Sequence, residues 1–164
     1  MEFSLTFLAL ERLLYEPHDM SLMFLFIGLM LALTQGYAVR KYGHRFGERN
    51  FTTLGLLFAT LSMVCLAVSS STGLFYLGLA FLGFGVGCVS PSLSALVSLY
   101  APARQQGAEL GAFRSTGALG RAIGPFFGAT LFWWMGSEVA YIAGGALLFL
   151  AALFSLLLPK PGHA

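Results

Sequence analysis

The sequence predicts an all-α protein, a polytopic bundle of helices embedded in a membrane. Hydrophobic residues make up 57% of the chain and charged residues only 10%, whereas soluble domains carry roughly 25% charge. The mean hydropathy is +0.80. Apolar runs long enough to cross a hydrocarbon core of about 30 Å recur along the chain, separated by short polar turns.

The predicted elements follow these runs in order. Residues 1–15 reach only about 20 Å as a helix, so they are either the second half of a membrane helix whose beginning is missing or an amphipathic helix in the interface. An acidic turn at residues 16–19 precedes the five spans of residues 20–158, and a tail at residues 159–164 cannot continue a helix. The predicted spans are Met20–Val39, Phe51–Ser69, Leu74–Tyr100, Leu110–Trp134 and Val139–Leu158.

Basic residues predict the orientation. Arginine and lysine fall in alternate turns and the tail, whereas the opposite turns carry Glu16, Asp19 and Glu138, with Arg12 as the exception. The positive-inside rule therefore places the basic turns and the C-terminus in the cytoplasm. The basic residues are Arg40, Lys41, Arg45, Arg49, Arg104, Arg114 and Lys160.

Several functional classes are disfavoured. No basic cluster interleaved with aromatic residues is present, so a nucleic-acid partner is not expected. Cys65 and Cys88 lie inside apolar runs and are interpreted as inert hydrophobic residues. No span pairs catalytic groups or shows metal-ligand spacing, so we expect no enzyme activity, metal or cofactor. No acidic residue lies within a full span, so the chain has no evident proton site of its own.

Two glycine series predict close helix packing. One has a glycine at every second position before Pro91, and the other has one at every fourth position in the fourth span. These residues are Gly83, Gly85 and Gly87, then Gly120, Gly124 and Gly128, with Pro125 among the latter. Fourth-residue spacing puts glycines on one helix face, and a membrane helix tolerates the backbone bond lost at Pro91. We expect a closely packed, bendable hairpin, in which Gly124→Leu disrupts packing.

Polar residues inside the spans are candidates for a substrate cavity. The amide of Gln35 must face protein or water, because an unsatisfied amide in hydrocarbon is costly; a bond between helices and a substrate contact both remain open. Ser90, beside Pro91, has the same alternatives, with the structural one favoured. Arg121 either snorkels to the interface or lines an aqueous path.

The basic segment Arg40–Arg49 is either a topology determinant or a conformational latch. Gly47 lies where the chain must turn sharply, and the flanking charges are able to pair with helix ends. The candidate gating residues are Arg40, Lys41, His44, Arg45, Gly47, Glu48 and Arg49.

These motifs resemble the C-terminal half of a major facilitator superfamily transporter, in the drug/proton antiporter branch that includes tetracycline efflux pumps. Three motifs carry the resemblance: Leu33–Gly36 with Arg45–Arg49, Gly83–Pro91 with Gln106-Gly107, and Gly111–Gly128. Together they cover about residues 3–158. The resemblance implies that residues 1–15 match the outer half of the seventh helix and the five spans match helices eight to twelve. The family's loop motif has an aspartate where this chain has His44.

The resemblance implies half of a secondary transporter that exports a small organic, drug-like molecule by alternating access. The expected partners are the lipid bilayer, the substrate, and an N-terminal transporter half or a second copy. The expected location is the plasma membrane, as in a bacterial inner membrane. The alternative is a non-transporting, half-size membrane protein that pairs with another helix bundle.

Overall fold

The computed structural model of the protein describes residues 2–158, without the side chains at positions 2–4, 42, 44 and 45. The tail at residues 159–164, with Lys160, lies outside the described residues. The described chain is helical almost throughout, which confirms the predicted all-α class. The elements are α1 Glu2–Leu13, α2 Pro17–Leu33, a π-helical turn Thr34–Val39, α3 Arg40–Phe46, α4 Glu48–Ala67, α5 Thr72–Tyr100 and α6 Gln106–Leu157.

Four of these stretches are long and apolar enough to cross a membrane: Pro17–Val39, α4, α5 and α6. With 52 residues, an unbroken α6 would be about 78 Å long, more than twice the hydrocarbon thickness. Gly136 interrupts it with a φ of 87° and a ψ of 166°. Residues before and after this break line the same cleft, so the chain reverses at Gly136. We call residues 106–135 α6a and residues 137–157 α6b; they correspond to the last two predicted spans.

Two predicted turns differ from the structure. The acidic turn belongs largely to α2, because Pro17 is suited to the first helical position and the Asp19 carboxylate accepts a hydrogen bond from the Glu16 amide at 3.1 Å. The basic segment is not an open loop: it forms the short helix α3 and then turns at Gly47, whose φ is 78°.

The helix α4 lies at the centre of the bundle, between α5 and α6b. A Cβ atom added at Gly85 would lie 2.7 Å from the backbone nitrogen of Ala59 and 2.7 Å from the carbonyl oxygen of Gly55. The backbones of α4 and α5 therefore touch at Gly55 and Gly85, the kind of contact that small residues permit in membranes. On the other side, Thr53 and Ser155 share a hydrogen bond of 2.7 Å between their hydroxyls.

Arg12, at the end of α1, joins three parts of the chain. Its guanidinium donates to the carbonyl oxygens of Ala67, the last residue of α4, and Ser69, just after it, at 2.8 and 3.2 Å. It also donates to the Ser137 hydroxyl and the Glu138 carboxylate, at 3.2 and 3.1 Å, directly after the break in α6. A residue that the sequence marked only as an exception to the charge pattern thus connects α1, α4 and α6b.

Candidate functional site

The π-helical turn that follows α2 contacts α5 one turn before Pro91. The π-helical turn begins at Thr34, which is only 4% exposed. A Cβ atom at Gly87 would lie 2.8 Å from both Cβ and Cγ2 of Thr34. Gly87 is four residues before Pro91, so its carbonyl is the one that lacks an amide partner in α5. Because π-helical turns and helix prolines both occur often where membrane helices move or bind ligands, we take this contact as the first candidate region.

Three predicted cavity residues lie on these two helices. Gln35 is exposed within the π-helical turn, Ser90 is exposed on α5, and Pro91 beside it is half-buried. Among the described residues, the side chains of Gln35 and Ser90 have no hydrogen-bond partner, and the Ser90 carbonyl accepts a bond from the Ser94 hydroxyl at 3.1 Å. A bond between helices within this chain therefore does not account for the amide of Gln35. Lining of a cavity stays a prediction for these residues.

Arg121 lies elsewhere, in a cleft between α6a, α6b and α4. The cleft has a volume of about 470 Å³, within the range of small-molecule sites. None of Gln35, Ser90 and Pro91 lines it. The lining residues are Met63, Gly117, Gly120, Arg121, Gly124, Pro125, Gly128, Ala140, Tyr141 and Gly144.

The position and direction of the Arg121 side chain bear on its two interpretations. It lies about 22 Å along the helix from Gln106, close to the middle of residues 106–135. One guanidinium nitrogen lies 3.5 Å from where Gly117 would carry a Cβ atom, so the side chain extends one turn back along its own helix and stays beside the cleft. Among the described residues it has no hydrogen bond or ion pair. Extension towards the polar start of α6a is the direction of snorkelling, and the same side chain lines the cleft, so both interpretations of Arg121 stay open.

Tyr141, on α6b, is a cleft residue that the sequence reasoning missed. It is only 5% exposed, and its buried hydroxyl has no hydrogen-bond partner among the described residues. The available signal was a tyrosine inside the fifth predicted span, three residues before Gly144 and Gly145. That signal alone could not place it in the cleft.

The glycines divide into two groups. Gly83 and Gly87 lie against α2 and the π-helical turn, with Cβ positions 2.6 Å from Cβ of Met30 and 2.8 Å from Thr34. Nothing in the described chain lies within 4 Å of the Cβ positions of Gly120, Gly124 and Gly128. Close packing of that second face stays a prediction about a surface that meets no other helix here, and a leucine at position 124 would extend into the cleft.

The basic segment holds one contact that fits a latch. The Arg49 guanidinium donates to the carbonyl oxygens of Ser155, at 3.2 Å, and Leu156, in the last turn of α6b. Lys41 donates to the Tyr37 hydroxyl at 2.8 Å, Arg40 is exposed, and Glu48 lies in the first turn of α4. The side chains of His44 and Arg45 lie outside the described residues. A gating role for the segment remains a prediction.

Replacing Arg49 with glutamine should loosen the end of α6b by about 1 kcal/mol, because a cation on the last carbonyls stabilises a helix C-terminus. We expect amide hydrogen exchange in residues 150–158 to become roughly fivefold faster. Arg40→Gln, which removes an exposed charge from the same segment, should leave this exchange unchanged. Equal effects of the two substitutions would show that the contact with Ser155 and Leu156 does not hold the helix end.

The sequence of this chain is similar to a known protein family and to individual members of it. The family model described as Major Facilitator Superfamily matches residues 2–164. Major facilitator superfamily domain-containing protein 10 of mouse is 34% identical over 163 residues, which are 99% of this chain and 36% of that protein. The human protein of the same name is 31% identical, over 92% of this chain and 33% of that protein.

A solved structure is also similar. The crystal structure described as the human organic anion transporter MFSD10 (TETRAN) superposes with a TM-score of 0.87 at 32% identity. The match covers 94% of this chain and 36% of that structure. The chain spans about one third of the length of the relatives it matches.

Proposed function

The chain belongs to the Major Facilitator Superfamily, and on that premise we propose that it forms the C-terminal half of a secondary transporter for a small organic molecule. The family is one of transporters and not of enzymes, as the sequence predicts. Its members pair two six-helix halves around a site near the bilayer midplane. We base the proposal chiefly on the agreement of fold with a transporter over 94% of this chain, which makes up only 36% of that structure.

The distribution of buried residues among the helices supports a second helix bundle that packs against this one. In the most apolar part of Pro17–Val39 only 11% of residues are buried within the chain, against 56% in α4. In the described chain, α6a contains no buried residue. Both helices thus present uncovered faces, which an N-terminal half or a second copy of the chain would cover.

The proposed mechanism is alternating access, with this bundle rocking against the other half. Gln35, Ser90 and Pro91 would line the side of the cavity between the halves. Thr34 of the π-helical turn contacts Gly87, one turn before Pro91 in α5, so bending of α5 at Pro91 would move the π-helical turn. The Arg40–Arg49 segment would carry contacts made in one end state and broken in the other, and the face of Gly120, Gly124 and Gly128 would allow close packing.

We propose that the protein lies in the plasma membrane, which in a bacterium is the inner membrane, with its C-terminus on the cytoplasmic side. We propose export as the direction of transport. The substrate class that we favour is a small organic anion with an apolar body, by analogy with the human organic anion transporter whose structure is similar. Proton antiport, as in the drug/proton antiporter branch, would draw its titratable carboxylate from the other half, because no acidic residue lies within the five spans of this chain.

The size of the protein in mild detergent, with and without a co-expressed candidate N-terminal half, tests this function. We expect a stable one-to-one complex, and we expect proteoliposomes containing it to take up a labelled organic anion. A well-behaved homodimer that neither binds the other half nor transports would instead support the half-size interaction module, in which a symmetric interface replaces the missing half.

A further inference from the structure

An open pocket lies between the end of α1 and the end of α6a. Its volume of about 570 Å³ is within the range of small-molecule sites. Among the residues that line it, Glu11 carries the one charge, and three side chains are aromatic. The lining residues are Phe7, Leu10, Glu11, Phe132, Trp133 and Gly136. The pocket thus combines a carboxylate with aromatic rings, and its lining contains no cationic group.

The carboxylate and the rings are close enough to contact one bound group. Phe7 and Glu11 lie one turn apart on the same face of α1, with Cβ atoms about 6 Å apart. The ring centroid of Phe7 lies 6.2 Å from that of Phe132. Phe132 in turn lies one turn after Gly128, on the face of α6a that lines the cleft within this bundle. The pocket therefore opens on the side of α6a that faces this chain.

The charge of Glu11 is not compensated within the described chain. Its side chain is exposed and has no hydrogen bond or ion pair among the described residues. The neighbouring guanidinium of Arg12 extends to Ser137 and Glu138 instead, and forms its ion pair with Glu138 at 3.1 Å. The pocket therefore keeps a negative charge, and the complementary ligand is positively charged.

The aromatic rings indicate which kind of cation fits. The faces of tryptophan and phenylalanine rings attract a cation within about 6 Å of the ring centroid, and quaternary ammonium groups are recognised in this way. A primary ammonium has three N–H donors to satisfy, whereas the Glu11 carboxylate is the one acceptor among the lining side chains. A quaternary ammonium has no N–H group, so it matches this lining better.

We propose that this pocket binds a quaternary ammonium group, with its methyl groups against Phe7, Phe132 and Trp133 and its charge beside Glu11. Two sources carry this chemistry: a small organic cation in solution, and the choline headgroup of a membrane phospholipid. Trp133 is 87% exposed at the end of α6a, and tryptophan there is typical of the membrane interface, which both sources reach. The site goes beyond the proposed transport of an organic anion and does not depend on it.

The test compares choline with 3,3-dimethyl-1-butanol, in which carbon replaces the charged nitrogen and the shape is kept. The full chain carries Trp134→Phe, which leaves Trp133 as its one tryptophan, so that tryptophan fluorescence reports on the pocket. The protein is held in dodecyl maltoside micelles, which contain no ammonium group. We expect choline to change the Trp133 emission with an affinity roughly tenfold higher than that of the alcohol, because only choline carries the charge.

Substitutions in the same background assign the binding to the pocket. Glu11→Gln keeps the shape of the side chain and removes its charge, so it should abolish most of the preference for choline. Phe7→Leu removes one ring and should weaken choline binding a few-fold. The matched controls are Glu109→Gln and Phe126→Leu, at exposed positions of α6a outside the lining, and both should leave the affinities unchanged. Circular dichroism and elution volume report that each variant is folded.

A second titration distinguishes the two sources of the ammonium group. Choline is added to the protein in nanodiscs of phosphatidylcholine and in nanodiscs of digalactosyldiacylglycerol, a neutral lipid without an ammonium group. A lower apparent affinity in phosphatidylcholine shows that the lipid headgroup competes for the pocket. Equal affinities assign the pocket to a cation from solution. Either result supports a quaternary ammonium site.

Two results would overturn the proposal. One is an equal affinity for choline and the uncharged alcohol, which would show that the pocket does not recognise the positive charge. The other is a preference for choline that Glu11→Gln leaves intact, or that Glu109→Gln reduces equally. Both are binding measurements on this chain, so the transport of an organic anion stands or fails separately.

Discussion

Replacing Gly85 with leucine should leave no folded bundle, and replacing it with alanine should already destabilise the protein by about 1–3 kcal/mol. The reason is that the added Cβ atom would lie 2.7 Å from two backbone atoms of α4, on Ala59 and Gly55. Backbone atoms cannot rotate away as a flexible side chain can, so α4 and α5 must separate. The measurement is the midpoint of thermal unfolding in detergent.

The matched control, measured like Gly85→Ala on the chain without the other half, is alanine at Gly124 or at Gly28. Both positions are helical glycines with nothing within 4 Å of the Cβ position. Alanine there meets no clash and should raise stability slightly, by roughly 0.5–1 kcal/mol, because it restricts the unfolded chain. If Gly85→Ala melts at the same temperature as these controls, the contact between α4 and α5 is not as close as the structure shows.

Replacing Arg12 with methionine should destabilise the protein by about 2–4 kcal/mol, since hydrogen bonds to charged groups contribute more than neutral ones and their loss leaves part-buried acceptors unpaired. The guanidinium donates hydrogen bonds to the carbonyl oxygens of Ala67 and Ser69. It also donates to the Ser137 hydroxyl and the Glu138 carboxylate, after the break in α6. Methionine keeps the apolar stem and removes only the donors. Reversible unfolding in mixed detergent micelles gives the free energy, and proteolysis near Gly136 reports the local loosening.

Glu138→Gln separates the ion pair from the backbone contacts. The Glu138 side chain is 70% exposed, and ion pairs exposed to water contribute roughly 0–1 kcal/mol. This substitution should therefore have a much smaller effect than Arg12→Met. Similar losses for the two variants would assign the stabilisation to the ion pair and contradict the role given to the carbonyl contacts.

The membrane spans could be predicted because a helix needs about 20 mainly apolar residues to cross the hydrocarbon core, and so long a stretch is visible in the composition of the sequence. The apolar runs, the reversal near Gly136 and the sharp turn at Gly47 all follow from residues close together in sequence. The turns were predicted less well. The acidic residues after residue 15 start a helix, and the basic segment forms α3, because capping and helix propensity operate within the stretches that polarity alone marks as turns.

Which face of each helix packs against which other helix could not be predicted from the sequence. Both glycine series have spacings that permit close packing, yet only Gly83, Gly85 and Gly87 meet another helix in the described chain. The spacing of glycines fixes which face is smooth and says nothing about which helix covers it. For the same reason the surroundings of Tyr141 and Arg12 could not be predicted, since each contacts residues far away in the sequence.

The π-helical turn has a consequence for how this protein relates to its relatives. A π-helical turn accommodates one more residue than an α-helical turn, with bonds to the fifth rather than the fourth residue. Everything after Thr34–Val39 is therefore displaced by about 100° around the helix axis relative to a regular continuation. A relative with one residue fewer between Leu33 and Arg40 would present the same faces on an unbroken α-helix. Deleting one residue within Thr34–Val39 should therefore be tolerated better than a deletion at any neighbouring turn of the helix.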